Sequence, residues 1–336
     1  MVDKSKIKIV RPPLLFAKTQ KVLAKIERAV HAPVLCYWNS TNGAICANDV
    51  FAFNEILTRI GKTGTLYLLI KSDGGSGHAS LRIMTLLRTY VKRIVALVPL
   101  ECASAATMMA LGADEIHMGP LAFLSAVDTS LIHDLSPVDK NNAQISVSQD
   151  ELIRVLKLWN AQRSTSKDEN PYKALYQYIH PLVFGAVDRS QSLSIQLSRE
   201  ILSFHMKDIR RADRISRHLN SAYPSHNYPI TIKEAKKIGL KVKPLNADIN
   251  RELIDLNLLY SEMGQRAYTD YDEENYHDNE ILNILEGKNV QIFYQTDKDW
   301  HYRKEERRYV PMHDSSSWRL IEHEGNRMKN TILHVR

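Results

Sequence analysis

Two short stretches hold the residue types that acyl-transfer chemistry needs. Ser104 opens a run of small side chains, Ala103-Ser104-Ala105-Ala106-Thr107, so a substrate carbonyl can reach its hydroxyl without meeting bulk. About thirty positions earlier, Ser72-Asp73-Gly74-Gly75 closes an apolar run. Consecutive glycines let the main chain turn its N–H groups toward a ligand with no Cβ in the way. Attack on a carbonyl requires a nucleophile at the positive end of a helix and backbone N–H groups aimed at the oxygen that becomes negative. The amide of Ala105, next to Ser104, would point to the same place as its hydroxyl. Each stretch alone has an ordinary reading, since diglycine marks many loops and serine is a common N-cap. Their order and separation raise them above it.

The elements that must position these residues alternate in type. Residues 33–38 (PVLCYW) read as a strand, and Asn48 caps a helix whose Val50, Phe51, Phe53, Ile56, Leu57 and Ile60 share a face before Gly61 stops it. GTLYLLIKS reads as a buried strand that turns through DGGSGH into the helix ASLRIMTLLRTYVK. The strand RIVALVP follows, then a small-residue helix over ECASAATMMALGADE stopped at Gly112, then a short strand EIHM. Strands alternating with helices of this length predict βαβ units and a mostly parallel sheet with surrounding helices.

Beyond Ala122 the pattern loosens into a loop through Asn142. Ser148 with Glu151 then forms a capping box opening the next helix, two or three more helices fill residues 174–220, and Thr231 with Glu234 forms a second box. Gly239 ends that helix, LKV returns as a strand, and a helix over 249–265 packs back on the body. The last seventy residues change character, with seven acids between Asp270 and Glu286 followed by the basic HYRKEERRY. They are expected as a C-terminal extension, either a small module or an ordered tail. The expected division is thus a basic arm over 1–30, an α/β body over 31–265 and the extension over 266–336.

Composition sets the outer limits. With 336 residues, 44% hydrophobic and 25% charged, the chain has globular proportions. Its longest apolar runs fall far short of the roughly 18 residues that span a bilayer. The five-residue apolar run ending at Ala17 is too short for a secretory leader, so the expectation is a cytoplasmic protein with no membrane partner. Cys36, Cys46 and Cys102 are odd in number and far apart, which fits reduced thiols rather than a disulfide framework or a zinc knuckle. Cys102, beside Ser104, reads as a small buried hydrophobe.

The net charge is +7, and residues 1–30 hold eight Lys/Arg against two acids. Such an arm can touch nucleic acid or an acidic partner, or form a solvated helix face, and no aromatic interleaving accompanies it. Phosphate-binding glycine loops, dinucleotide fingerprints, H-E-x-x-H and G-x-S-x-G are all missing. Glu322-His323-Glu324 lacks metal-ligand spacing, so neither metal nor cofactor is expected.

The stretch ALVPLECASAATMMALGADEIHMGPLAFLSAVDTSL resembles the serine dehydrogenase proteinase family of ClpP-like proteins, related to signal peptide peptidase A. Ser104-Ala105-Ala106-Thr107, Ala113-Asp114-Glu115-Ile116-His117-Met118-Gly119-Pro120 and Leu124-Ser125-Ala126-Val127-Asp128 fill the places of that family's motifs. YPSHNYPITIKEAKKIGLKV resembles its closing helix and strand, so the likeness covers roughly residues 30–245. It implies a ClpP/crotonase-like fold, Ser104 as nucleophile of a serine endopeptidase, Gly75 and Ala105 as oxyanion donors and Gly74 as the turn. A peptide or protein substrate, a homo-oligomer and an activating or regulatory protein partner are further implications. Ala106 stands where the family has glycine, and Ser125-Ala126 where it has Gly-Pro, which implies an altered loop around Asp128.

A serine hydroxyl also needs a proton acceptor about 3 Å away. His133, twenty-nine residues after Ser104, suits the ClpP arrangement and is the favoured base. Lys140 suits the signal peptide peptidase arrangement, in which burial must depress a lysine pKa by several units. His78 and His226 are further candidates, His226 also as an orienting group, and Asp128 is a candidate to orient the base. Two other functions stay open at this point. A crotonase-type acyl-CoA enzyme uses the same paired amides without Ser104, and a non-catalytic interaction protein uses the basic arm and the tail.

Overall fold

The computed structural model describes residues 8–128, 130–139, 144–162, 171–324 and 327–335. Its first elements are α1 (Phe16–Val30), β1 (Val34–Asn39), α2 (Asp49–Ile60), β2 (Thr63–Lys71), α3 (Gly77–Tyr90), β3 (Val91–Val98), β4 (Glu101–Cys102), α4 (Ala105–Leu111), β5 (Glu115–Met118) and β6 (Phe123–Leu124). Then come β7 (Ser130–Leu131), β8 (Val147–Ser148), α5 (Gln149–Gln162), α6 (Pro171–Leu175), α7 (Pro181–Ser203), α8 (Ile209–Ser221), α9 (Ile232–Lys237), β9 (Val242–Pro244) and α10 (Ala247–Met263). Six strands close the chain: β10 (Ala267–Asp270), β11 (Asn275–Gly287), β12 (Val290–Arg303), β13 (Arg308–Asp314), β14 (Ser317–Glu324) and β15 (Arg327–Leu333).

Contacts group these elements into two compact units, Met1–Leu124 with Pro229–Arg336, and Ser125–Tyr228. The chain leaves the first unit after Leu124 and returns near Ile230. These two points are bonded to each other, Leu124 N–H to Ile230 O at 3.0 Å and Ile230 N–H to Leu124 O at 2.8 Å. The second unit is therefore an insertion whose ends are pinned together.

In the first unit β1 is buried at every position, as a strand covered on both faces must be. β1, β2, β3, β5 and β9 pair in parallel in that order. This is the βαβ arrangement that the alternation of elements predicts. Leu253, Leu256, Tyr260 and Met263 of α10 join Phe16, Leu23 and Ile26 of α1 in a core with Cys36 and Trp38 of β1. On α2 the buried residues are Asp49, Ala52, Phe53, Ile56 and Leu57, and Phe53 meets Tyr37 with ring centroids 5.2 Å apart. Phe51, expected on the buried face, is exposed. The buried stripe is rotated because a charged residue, Asp49, points inward at the start of the helix.

The last strands belong to the same sheet, whose order is β15-β14-β12-β11-β1-β2-β3-β5-β9, with β10 on β11 and β13 on β12. β11 lies antiparallel to β1, Cys36 opposite Glu286 and Trp38 opposite Ile284. Strands β10 to β15 thus extend the central sheet past β1. The acids read there as a charge run are in part built into it: Asp278 is gripped by Arg266 at 2.6 and 2.9 Å, and Glu280 accepts from Ser40 and Asn42.

The second unit pairs β7 with β8 and packs α7 on α8. Val147, Leu152, Val183 and Val187 form its small core. The Ser148–Glu151 capping box forms as expected, Glu151 N–H donating to Ser148 Oγ at 3.2 Å and Ser148 N–H to Glu151 Oε2 at 3.0 Å. In the first unit Thr231 stands at the N-cap of α9, but its hydroxyl makes no capping bond. Among the described residues no helix is long and apolar enough to cross a membrane.

Candidate active site

The two strand-to-helix turns named by the sequence lie side by side. Ser72 N–H donates to Glu101 O at 3.1 Å, and Ala103 N–H donates to Ser72 O at 2.9 Å. This short parallel bridge holds the turn after β2 against the turn after β3. Ser76 caps α3 by accepting from Ala79 N–H at 3.2 Å. Ser80 Oγ on α3 donates to Ala105 O at 2.8 Å, which ties the two helix starts together.

Ser104 is the N-cap residue of α4, with φ +52° and ψ −120°. A non-glycine residue there carries strain of order 1–3 kcal/mol, held in place by its surroundings. Ala103 and Ala105 on either side are buried, whereas Ser104 itself is only half-buried. Ala105 is the first residue of α4, so its N–H has no acceptor within the helix. Ala106 N–H, next along, already donates to Ala103 O at 2.9 Å.

The diglycine closes on this serine. A Cβ placed on Gly74, φ +116°, would stand 2.6 Å from Ser104 Cβ and 3.1 Å from Ala105 N. Only glycine fits. Gly74 N–H is occupied by Ser72 Oγ at 3.1 Å. Gly75, φ +139°, pairs in parallel with Ile45 through its neighbours: Ile45 N–H donates to Gly74 O and Ser76 N–H to Ile45 O, both at 2.8 Å. In such a bridge the N–H of the central residue faces away from the partner strand, which leaves Gly75 N–H directed elsewhere. A Cβ on Gly75 would lie 2.4 Å from Ile45 O. Gly74, Gly75, Ser104 and Ala105 are therefore brought together within the first unit. Ile45 was not among the residues expected here, because nothing local to residues 44–46 marks a partner thirty positions away.

The motif residues after Ser104 build the frame. Asp114 accepts from Arg88 at 2.9 Å and from Ile94 N–H at 2.8 Å. Burial alone would raise the Glu115 carboxyl, but Lys243, His117 and Lys241 hold it down at about 2. Cys102 is wholly buried, and burial pushes its thiol up, as befits a small hydrophobe rather than a second nucleophile. Glu322 pairs with Arg59 and His323 packs on Phe16.

The proton-accepting candidates have different surroundings. His78 is exposed in the first turn of α3, and Lys140 lies outside the described residues. In the second unit, His133 Nδ1 accepts from Leu135 N–H at 3.1 Å, and His133 N–H donates to Ser136 Oγ at 3.0 Å. That histidine closes its own turn. His226 Nδ1 instead meets Asp128 Oδ1 at 2.9 Å, and this hydrogen bond raises its pKa above the ordinary value. Tyr223 and Tyr228 stack at 4.8 Å to close the turn that carries it. A cleft of about 350 Å³ in this unit is lined by Asp128, Ser148, Glu151, Tyr223 and His226.

No family model matches the chain. Over 208 residues it is 24% identical to an uncharacterised protein of Methanocaldococcus jannaschii, a match that covers 61% of this chain and 60% of that protein. The chain thus matches about three fifths of the length of that relative. Among solved structures it is similar to a serine-to-alanine variant of the 1510-N membrane-bound stomatin-specific protease, with TM-score 0.37, 15% identity, and 67% of this chain and 83% of that chain covered. It is also similar to ClpP1 from Listeria monocytogenes, with TM-score 0.33, 12% identity, and 70% of this chain and 99% of that chain covered.

Proposed function

We propose that this chain is a serine peptidase that cleaves peptide bonds through an acyl-enzyme on Ser104. One observation carries the reading: the diglycine bend approaches so closely that a single Cβ on Gly74 would strike Ser104 Cβ at 2.6 Å. A hydroxyl and main-chain donors from two turns therefore share one small space, half-open to solvent. Ser104 Oγ attacks the substrate carbonyl carbon while its proton passes to a base. The carbonyl oxygen, now negative, is held by Gly75 N–H and Ala105 N–H. Collapse expels the amine, which takes the proton from the base, and water then hydrolyses the ester to release the acid and restore Ser104.

For the base, His133 is the residue the sequence favours. Of the three described histidine candidates, His226 is the one bonded to a carboxylate, the arrangement that fixes an imidazole tautomer and stabilises its charged form. Enclosure within a homo-oligomer or activation by a partner protein belongs to the same proposal, since a peptidase with an open site endangers its surroundings. Size-exclusion chromatography of a fully active protein as a strict monomer contradicts the enclosure.

The test is hydrolysis of a peptide library by the full chain and by Ser104→Ala. Cleavage that disappears in the variant supports the peptidase. Turnover of acyl-CoA thioesters that persists undiminished in Ser104→Ala selects an enolate-stabilising enzyme in its place.

A further inference from the structure

We infer that Asp49 and Asn283 are positioning residues of the oxyanion bend, so that strand β11, far along the chain, sets the geometry of the site. The inference rests on the peptidase reading of Ser104 and adds to it the part played by the C-terminal strands. On either side of Gly75 the chain is bonded to Ile45, Gly74 O accepting from Ile45 N–H and Ser76 N–H donating to Ile45 O, and Gly75 has no room to move toward it. The placement of the Gly75 N–H is then the placement of residues 44–46. That segment has no helix or strand of its own to fix it.

Two side chains fix it instead. Asn283 Nδ2 donates to Ala44 O at 3.0 Å and to Asp49 Oδ1 at 2.9 Å. Asp49 Oδ2 accepts from Cys46 N–H at 2.6 Å and from the Tyr37 hydroxyl at 2.8 Å. Ile45 is thus gripped through both of its neighbours. Asp49 is fully buried, and among the described residues no cation pairs with it. A carboxylate in that position is costly unless several donors satisfy it, so three short bonds converge on one group and make it rigid. β11 also clamps the preceding turn, Ser40 N–H donating to Leu282 O at 2.8 Å. The path from β11 through Asn283, Asp49 and Ile45 to Gly75 is continuous and lies wholly within the first unit.

A donor that stabilises only the developing oxyanion acts on the rate of adduct formation rather than on initial binding. The experiment is fluorophosphonate labelling of the full-length protein at graded probe concentrations, which separates the limiting rate of adduct formation from the half-saturating concentration. Asn283→Ala and Asp49→Asn are expected to slow the limiting rate tenfold or more, with half-saturation within about twofold of wild type. Tyr37→Phe, a milder change, is expected to slow it a few-fold and serves if the first two fail to fold. Ile321→Val, in the core of the C-terminal strands, is the control for lost stability and is expected to label at the wild-type rate.

Wild-type limiting rates in folded Asn283→Ala, Asp49→Asn and Tyr37→Phe overturn the inference. An equal slowing in Ile321→Val, or a loss confined to half-saturation, overturns it as well. Wild-type protein that takes up no probe at Ser104 overturns instead the peptidase reading on which the inference rests.

Discussion

The two units carry their candidate chemistry in different materials. In the first, apart from the Ser104 hydroxyl, the proposed oxyanion site is main chain, and bonds such as those between Gly74, Ser76 and Ile45 lock it. In the second, the candidate acid–base groups are side chains on short turns, His133 closing one and His226 held by Asp128 on another. A main-chain device has no tolerance for added atoms. A side-chain device tolerates substitution structurally and loses only its chemistry.

Substitutions in the two units sharpen that contrast. The largest effect belongs to Ser104→Ala, which removes probe labelling altogether while the protein remains folded by circular dichroism. Next is the base. If His226 is the base, His226→Ala slows labelling by roughly 10²–10⁴ with little change in melting temperature while His133→Ala labels near the wild-type rate. The opposite pair of results moves the role to His133.

Gly75→Ala places a Cβ 2.4 Å from Ile45 O at φ +139°. It is expected to slow labelling by roughly 10²–10³, the scale of one lost oxyanion donor. It is also expected to lower stability by roughly 1–3 kcal/mol of backbone strain, read by denaturant unfolding. His226→Ala shares the first effect and lacks the second, and a Gly75→Ala protein with wild-type stability breaks the comparison.

A smaller effect concerns pH. Asp128 holds the His226 pKa above its ordinary value, so if His226 is the base its active, neutral form appears only at higher pH. Asp128→Asn is expected to move the acid limb of the labelling profile toward lower pH. The folded state gains from this pair below the ordinary histidine pKa and loses that gain as pH rises through the raised value.

The smallest effect belongs to the frame. The Glu115 carboxyl is held at about 2 by its lysine and histidine partners. Its contribution to folding is present above the ordinary glutamate pKa and is lost as pH falls from there toward 2. The wild-type melting temperature is expected to drop through that window and that of Glu115→Gln to vary less, by scanning fluorimetry.

How much of this was legible from the residues follows from the same distinction. Ser104, Gly74, Gly75 and Ala105 could be picked out because a crowded main-chain site demands small residues, and that demand shows in the sequence. The strands of the parallel sheet were equally plain, for instance residues 34–39, whose burial on both faces leaves an almost unbroken apolar run. Asp49 and Asn283 were not legible, because they meet across 234 positions through side-chain bonds that leave no periodic trace. Nor was the place of β10 to β15. Asp278 and Glu280 look like solvated charge until Arg266, Ser40 and Asn42 are seen to bond them. The sequence ranked His133 above His226 by its spacing from Ser104, and the Asp128 bond to His226, made across 98 positions, leaves no trace there.

The most direct measurement is reaction of the full-length protein with a fluorophosphonate probe, followed by peptide mapping of the modified residue. The account predicts one adduct per chain, on Ser104, absent from Ser104→Ala. A native protein that takes up no probe, or carries it on another residue while Ser104 stays unmodified, contradicts it.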